Sequence, residues 1–298
     1  MSSHFGRTLH KDEEAQLFVE HILGIEDQDE VDKAIKLITD AECNLKVNNE
    51  STLNNATFRD RHYRDESERD VLRRRIVKEL IEKPRVDDDL ISLGVGGAAP
   101  PTEVKKDASV IYLIGPPASG KSSIANVLAN SFGAYILDSD YAKRKLPEYN
   151  NKTCGASLVH DESDALIFTW SGNNLLKYCV KERINMVIPK IGHSLQGVCD
   201  FANRMRELDY NVYLVSIFLD RREATKRAYD RFQKSSRYVP LSLIFDVYAN
   251  DPMLNYFRII QKCKDCFNGY AQISTEGKSP TLVESINFPE IDPLFRRS

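Results

Sequence analysis

The stretch VIYLIGPPASGKSSIANVLANSF, residues 110–132, runs from an apolar strand-like segment through a Gly- and Pro-rich bend into a helical pattern. Its middle, GPPASGKS at 115–122, fits the spacing G-x-x-x-x-G-K-[ST]. Between a strand and a helix, that spacing aims backbone N–H groups and the positive end of the helix at one point, where an anion is held. The order strand, loop, lysine, helix therefore predicts a phosphate loop in which Gly115, Pro116, Pro117, Ala118, Ser119, Gly120, Lys121, Ser122 and Ser123 surround the phosphates of a nucleotide. Lys121 is placed to reach the β- and γ-phosphates, and the Ser122 hydroxyl to ligate Mg²⁺. No N-K-x-D follows to favour guanine, so ATP is the expected nucleotide.

Outward from the loop, apolar runs alternate with helical patterns. The runs are 110–114, 134–137, 185–189 and 211–219, with 270–275 as a weaker fifth. Val, Ile and Leu without polar alternation describe strands buried on both faces, hence an α/β fold: a P-loop kinase-like parallel sheet sandwiched by helices. Ligands of such sheets sit at the carboxyl ends of the strands.

The second strand end reads ILDSDYAKRKLPEY and carries two carboxylates, Asp138 and Asp140. A carboxylate there faces the γ-phosphate, where it can accept a hydroxyl proton or hold the metal shell; either is also suited to capping the following helix. After the run at 211–219, RREATKRAYDRFQKSSRYVP gathers Arg221, Arg222, Lys226, Arg227, Arg231, Lys234 and Arg237. Arg227 and Arg231 share one helical face, as expected of a cationic lid over a transferring phosphoryl group; a solvated charged face is the plainer alternative.

These residues resemble the zeta toxins, small-molecule kinases of toxin–antitoxin systems, over roughly residues 108–260. The resemblance implies that Asp140 is the catalytic base and Asp138 its partner at the metal, with Lys121 and Ser122 on the nucleotide and metal. It implies that Arg227 or Arg231, together with Arg237, clamp the phosphates, and that Glu162 of LVHDESDAL contacts the acceptor. Where the family ends its third strand in Glu-Gly-Thr, this chain has PKIGHS. That departure places Lys190 near the family's acid and His193 or Ser194 near its hydroxyl, so acceptor recognition is expected to differ. The implied reaction is ATP- and Mg²⁺-dependent phosphorylation of a hydroxyl on a small nucleotide-type substrate, UDP-N-acetylglucosamine or a related nucleotide sugar first, with NAD as acceptor in a related effector branch. A polynucleotide 5′-hydroxyl kinase shares the loop, the acid and the lid but wants an extended basic and aromatic groove. A nucleotide-dependent switch without transfer is the reading of another class, and the two strand-end acids argue against it.

Ahead of this domain, assigned to residues 109–298, lies a charged helical segment, 1–92, in which DEVDKAIKLITDAE and ESERDVLRRRIVKELIEK repeat aliphatics at helical spacing around an Asn-rich loop. LGVGGAAPPTEVKKDAS supplies an expected linker at 93–108. Because the toxins resembled here are held inactive by a helical antitoxin over the nucleotide site, the front segment is a candidate for inhibition in cis, or for docking a partner. A net charge of −3 supplies no general attraction to nucleic acid or anionic membrane. The N-terminus lacks the apolar core of a signal peptide, no run is long enough to span a membrane, and the scattered cysteines suit a reducing compartment, so a cytoplasmic location is expected. Cys263-Lys-Asp-Cys266 reads as two thiols on one helix, and Trp170 as core.

Overall fold

The apolar run at 110–114 forms the inner strand of a seven-stranded sheet. The computed structural model describes residues 7–47, 51–86, 94–150, 155–169, 172–235, 238–248, 250–288 and 291–297. In chain order the front segment gives α1 (Asp12–Phe18), continued by a π-turn at Val19–Leu23, then α2 (Gln28–Val47) and α3 (Glu66–Glu82). Next come β1 (Ser109–Ile114), α4 (Lys121–Ser131), β2 (Tyr135–Ile136), α5 (Ser139–Lys143), α6 (Gly155–Leu158), α7 (His160–Phe168) and α8 (Leu175–Glu182). The second half holds β3 (Met186–Lys190), α9 (Leu195–Glu207), β4 (Asn211–Phe218), α10 (Arg221–Ser235), α11 (Asp251–Lys262), β5 (Gly269–Ser274), β6 (Thr281–Ile286) and β7 (Arg296–Arg297).

The sheet order is β2-β3-β1-β4-β5-β6-β7. The strands from β2 to β5 are parallel and β6 returns antiparallel to β5. Both faces are covered, which is why the strands lack polar alternation. Val110, Tyr112, Ile114, Met186, Ile188, Val212 and Leu214 face one core with α8, α9 and α11. Ile111, Leu113, Val187, Val215 and Ile217 face a second core with α4 and Phe288, Ile291 and Phe295 of the C-terminal segment. The β6–β7 extension was not foreseen, because TLVESI is short and half exposed.

β2 is shorter than the expected 134–137. Its last ladder pair is Ile136↔Val187, and Leu137 N–H still reaches the Val187 carbonyl at 2.9 Å. Two residues on, Pro189 points the same way along β3, where β2 has ended, so its missing N–H costs no ladder bond. The early end of β2 turns Asp138 and Asp140 across the carboxyl edge beside β3.

The front segment and the expected linker pack directly on this framework. Leu72, Ile76, Val77, Leu80, Ala98, Ala99 and Ala108 belong to the first core. Ala98 N–H donates to the Leu80 carbonyl and its own carbonyl accepts from Ile136 N–H at 3.1 Å, so residues 97–99 lie along α3 and β2. Gly97 is close contact rather than slack: a Cβ there would meet the Lys83 carbonyl oxygen at 2.0 Å. The glycines read as a connector mark a seam too tight for side chains.

Candidate active site

The phosphate loop sits between β1 and α4. Gly120 precedes α4 at φ +83°, a left-handed conformation that glycine adopts without strain, and it has no side chain to cap the first turn. The opening amides of α4 are thus left for an outside acceptor. Lys121 Nζ folds back onto the carbonyls of Gly115 at 2.9 Å and Pro116 at 2.5 Å. Burial draws its ammonium down to about 7, against the pull of Asp138 and Asp140 and with the push of Arg231. The Ser119 hydroxyl is buried with no hydrogen-bond partner. An uncapped helix start, an orphaned hydroxyl and a lysine short of countercharge fit a polyphosphate. Among the described residues no cluster of three or more metal-type ligands occurs. A Mg²⁺ ion carried on nucleotide phosphates needs only one or two protein oxygens, and Ser122 and Asp138 are the ones expected for it.

Asp138 does cap α5, accepting from Asp140 N–H through Oδ1 at 2.9 Å. Asp140, in the first turn of that helix, pairs with Lys143 Nζ at 3.2 Å. From the other side, Arg227 bonds Glu223 at 2.9 Å and donates to the Thr275 carbonyl at 3.0 Å. Thr275 in turn donates its hydroxyl to the Ser119 carbonyl at 2.9 Å, so α10, the end of β5 and the phosphate loop are linked. Arg237 and Trp170 lie outside the described residues.

On the acceptor side the structure corrects the reading of Glu162. It is fully buried and faces the front segment. Arg69 grips it through Nε at 2.8 Å and Nη2 at 2.6 Å, Arg73 adds 2.8 Å and the Thr52 hydroxyl 2.6 Å. Burial alone would raise its carboxyl; the hydrogen bonds from Arg69 and Thr52 outweigh it and hold the group down at about 2. The same Arg69 reaches Glu148 at 2.8 Å, so one wholly buried guanidinium joins both acids. Two residues on, about 200° around the helix, Asp164 faces the opposite way. It accepts from the Ser139 hydroxyl and from Lys190 Nζ at 3.3 Å. Burial raises the Asp164 carboxyl, and Lys190 and Ser139 more than offset this. The acid beside the third strand end is therefore Asp164, which the sequence reading missed although the helical phase of α7 carried the signal.

Lys190 also sits over the Phe168 ring at 3.5 Å. Ser194 caps α9 by accepting from Gly197 N–H at 3.1 Å, and His193 rests against Tyr248 with ring centroids 5.6 Å apart. Asn255 fixes this turn by donating to the carbonyls of Gly192 and His193 at 2.8 and 2.9 Å. The thiol pair does not share one helix: Cys263 follows the end of α11, Cys266 closes a separate 3-10 turn, and Cys199 from α9 joins Cys263 by a hydrogen bond.

The first half of the front segment lies over α10. Leu9, Phe18, Val19, Leu23, Val31 and Ile38 share a core with Leu219, Ala224, Ala228 and Phe232, and Ala118 of the phosphate loop packs against it. Polar ties rim the contact: Arg7 with Asp246 at 2.8 Å, Arg222 with the His21 carbonyl at 3.2 Å, and the Tyr238 hydroxyl with Glu42 at 2.5 Å.

The zeta toxin family profile matches residues 98–254, just over half of the chain. No curated protein sequence matches. Among solved structures, the PezAT chromosomal toxin–antitoxin system of Streptococcus pneumoniae is similar at 13% identity, with 76% of this chain and 83% of that one covered and a TM-score of 0.55. The AvrRxo1-ORF1:-ORF2 complex matches at 14% identity, covering 80% and 77%, with a TM-score of 0.47. A gluconokinase from Sinorhizobium meliloti matches at 13%, covering 58% and 86%, at 0.32. No helix among the described residues is long and apolar enough to cross a membrane.

Proposed function

The chain belongs to the zeta toxin family, and on that premise we propose that it is an ATP-dependent kinase that phosphorylates a hydroxyl of a small nucleotide-type metabolite. UDP-N-acetylglucosamine or a related nucleotide sugar is the first acceptor to test. The observation that carries this reading is the phosphate loop set between β1 and the uncapped start of α4, with its orphaned Ser119 hydroxyl, and the two acids Asp138 and Asp140 at the start of α5 beyond β2. A switch needs the lysine; the acids at the strand end add what transfer requires. Lys121 holds the donor phosphates, Ser122 and Asp138 supply oxygens for Mg²⁺, and Asp140 takes the acceptor's hydroxyl proton. Arg227 and Arg231, with Arg237, bring positive charge from α10 and the segment after it to the phosphoryl as it moves. Mg²⁺, when bound, neutralises charge on the phosphates.

Asp140→Asn keeps the shape and removes the base, so turnover falls by about 10²- to 10⁴-fold while ATP binding persists. The measurement is label transfer from γ-labelled ATP into a metabolite extract, with equilibrium ATP binding alongside. Unchanged turnover in the variant would falsify the assignment of the base.

The same reading extends to control. Residues 7–47 cover α10 and touch the loop at Ala118, a position suited to restraining the lid in cis. An antitoxin acting from a separate chain is the alternative partner, and it predicts no gain of activity when these residues are removed.

A further inference from the structure

A cavity of about 300 Å³ lies between β3 and α9, and Tyr112, Phe168, Lys190, Asp200, Phe201 and Arg204 form its chemically distinctive lining. Its location follows from register. Lys190 is the ladder partner of Ile114, the residue before Gly115, and Tyr112 is partnered with Ile188 two positions earlier. The cavity thus begins one strand away from the donor loop and extends back along β3. On its other wall, Gly197, Asp200 or Phe201, and Arg204 recur at helical spacing and share one face of α9. From Gly197 to Arg204 that face advances about 10 Å.

The lining differs from core. Phe168 and Phe201 are only partly buried. Tyr112 and Phe201 approach with centroids 5.0 Å apart at 42°, while the Lys190 ammonium stands over Phe168. Three aromatic rings suit a flat, polarisable group. The Lys190 ammonium, already paired with Asp164 at 3.3 Å, has further N–H donors for an anion at the carboxyl end of β3. At the far end stand Asp200, whose Oδ1 accepts from Gln196 at 2.6 Å, and Arg204 one helical turn on, an acceptor and a donor suited to a ring edge. A free sugar would want denser hydrogen bonding and would leave the rings without a flat partner. An acyl chain would meet three charged side chains. The volume is at the lower end of ligand cavities, about 300–1,000 Å³, enough for a nucleoside but not for a whole dinucleotide.

We infer that this cavity between β3 and α9 seats the nucleobase end of the acceptor: the ring lies among Tyr112, Phe168 and Phe201, its edge is read by Asp200 and Arg204, and its anionic side faces Lys190. The word acceptor rests on the kinase reading above; the base site does not.

The test uses the full chain carrying Lys121→Ala, which removes the phosphate grip of the donor loop. Calorimetric titration with UMP and AMP should show that at least one binds, whereas N-acetylglucosamine 1-phosphate, which has no aromatic ring, should not. Phe201→Ala and the solvent-facing Arg204→Ala, each added to that background, should weaken binding at least tenfold. Thermal melts identify any loss of fold, and Arg204→Ala keeps the test open if Phe201→Ala is damaged. Failure of both nucleotides to bind, or binding indifferent to both substitutions, overturns the inference. Label transfer by the wild-type chain separates the two ideas. Efficient phosphorylation of a ringless acceptor that leaves the cavity unused sinks the base site and spares the kinase. Nucleotide binding in the cavity without any transfer does the reverse.

Discussion

The two halves of the front segment hold the same domain by opposite means. Residues 7–47 meet α10 through an apolar cluster, with polar ties only at its rim. Residues 51–86 enter the acceptor side through charge, with Arg69 wholly buried between Glu148 and Glu162. An apolar contact of this kind separates without leaving any ion stranded. A buried ion pair does not, because each partner left behind keeps its desolvation cost. The first half is thus held by a contact that can part at little electrostatic cost, and the second by one that cannot.

Truncation tests the difference most severely. Removal of residues 1–47 should leave a folded protein whose kinase activity rises as α10 is released. Removal of residues 1–92 strands Glu148 and Glu162 and strips Leu72, Ile76 and Leu80 from the first core, so no soluble folded product is expected. Circular dichroism and label transfer on both products check this. A folded, active product lacking residues 1–92 would erase the distinction.

Arg69→Ala comes next and should cost about 3–5 kcal/mol in urea unfolding, because it leaves two carboxylates buried without their cation. The pH dependence follows from Glu162. Its folded value, about 2, lies below the ordinary carboxylate value of 4.5. Its contribution to stability is therefore complete above about pH 4.5 and is lost as the pH falls toward 2. The urea midpoint of the wild type should drop through that window, and the drop should shrink in Glu162→Gln. The smallest effect belongs to the first half: Arg7→Ala removes a largely exposed pair with Asp246 and should change stability by no more than about 1 kcal/mol. A large loss there would mean that residues 7–47, too, are held by charge.

What the sequence made legible was whatever local pattern encodes. The apolar runs located the five parallel strands to within a residue or two, and the loop with its flanking elements located the donor site. Burial of Glu162 was not legible, because its partner Arg69 lies 93 residues upstream. DES at a helix start looks the same whether it faces a substrate or a guanidinium. The glycines at 96–97 were misleading for a related reason. Composition records that side chains are absent, but not whether the space is open or filled by the Lys83 carbonyl. Asp164 was within reach, since it and Glu162 must point to opposite sides of one helix.

Arg69 also sets a schedule for synthesis. Its partner Glu162 leaves the ribosome 93 residues later. At about 5–20 residues per second that is a wait of roughly 5–20 seconds. Until Glu148 follows, 79 residues after Arg69, α3 carries a guanidinium without either acid, and its aliphatic face of Leu72, Ile76 and Leu80 waits longer for the sheet that covers it. The nascent chain is thus a client for a holding chaperone during that interval, and slow codons placed between Arg69 and Glu162 should lengthen its exposure.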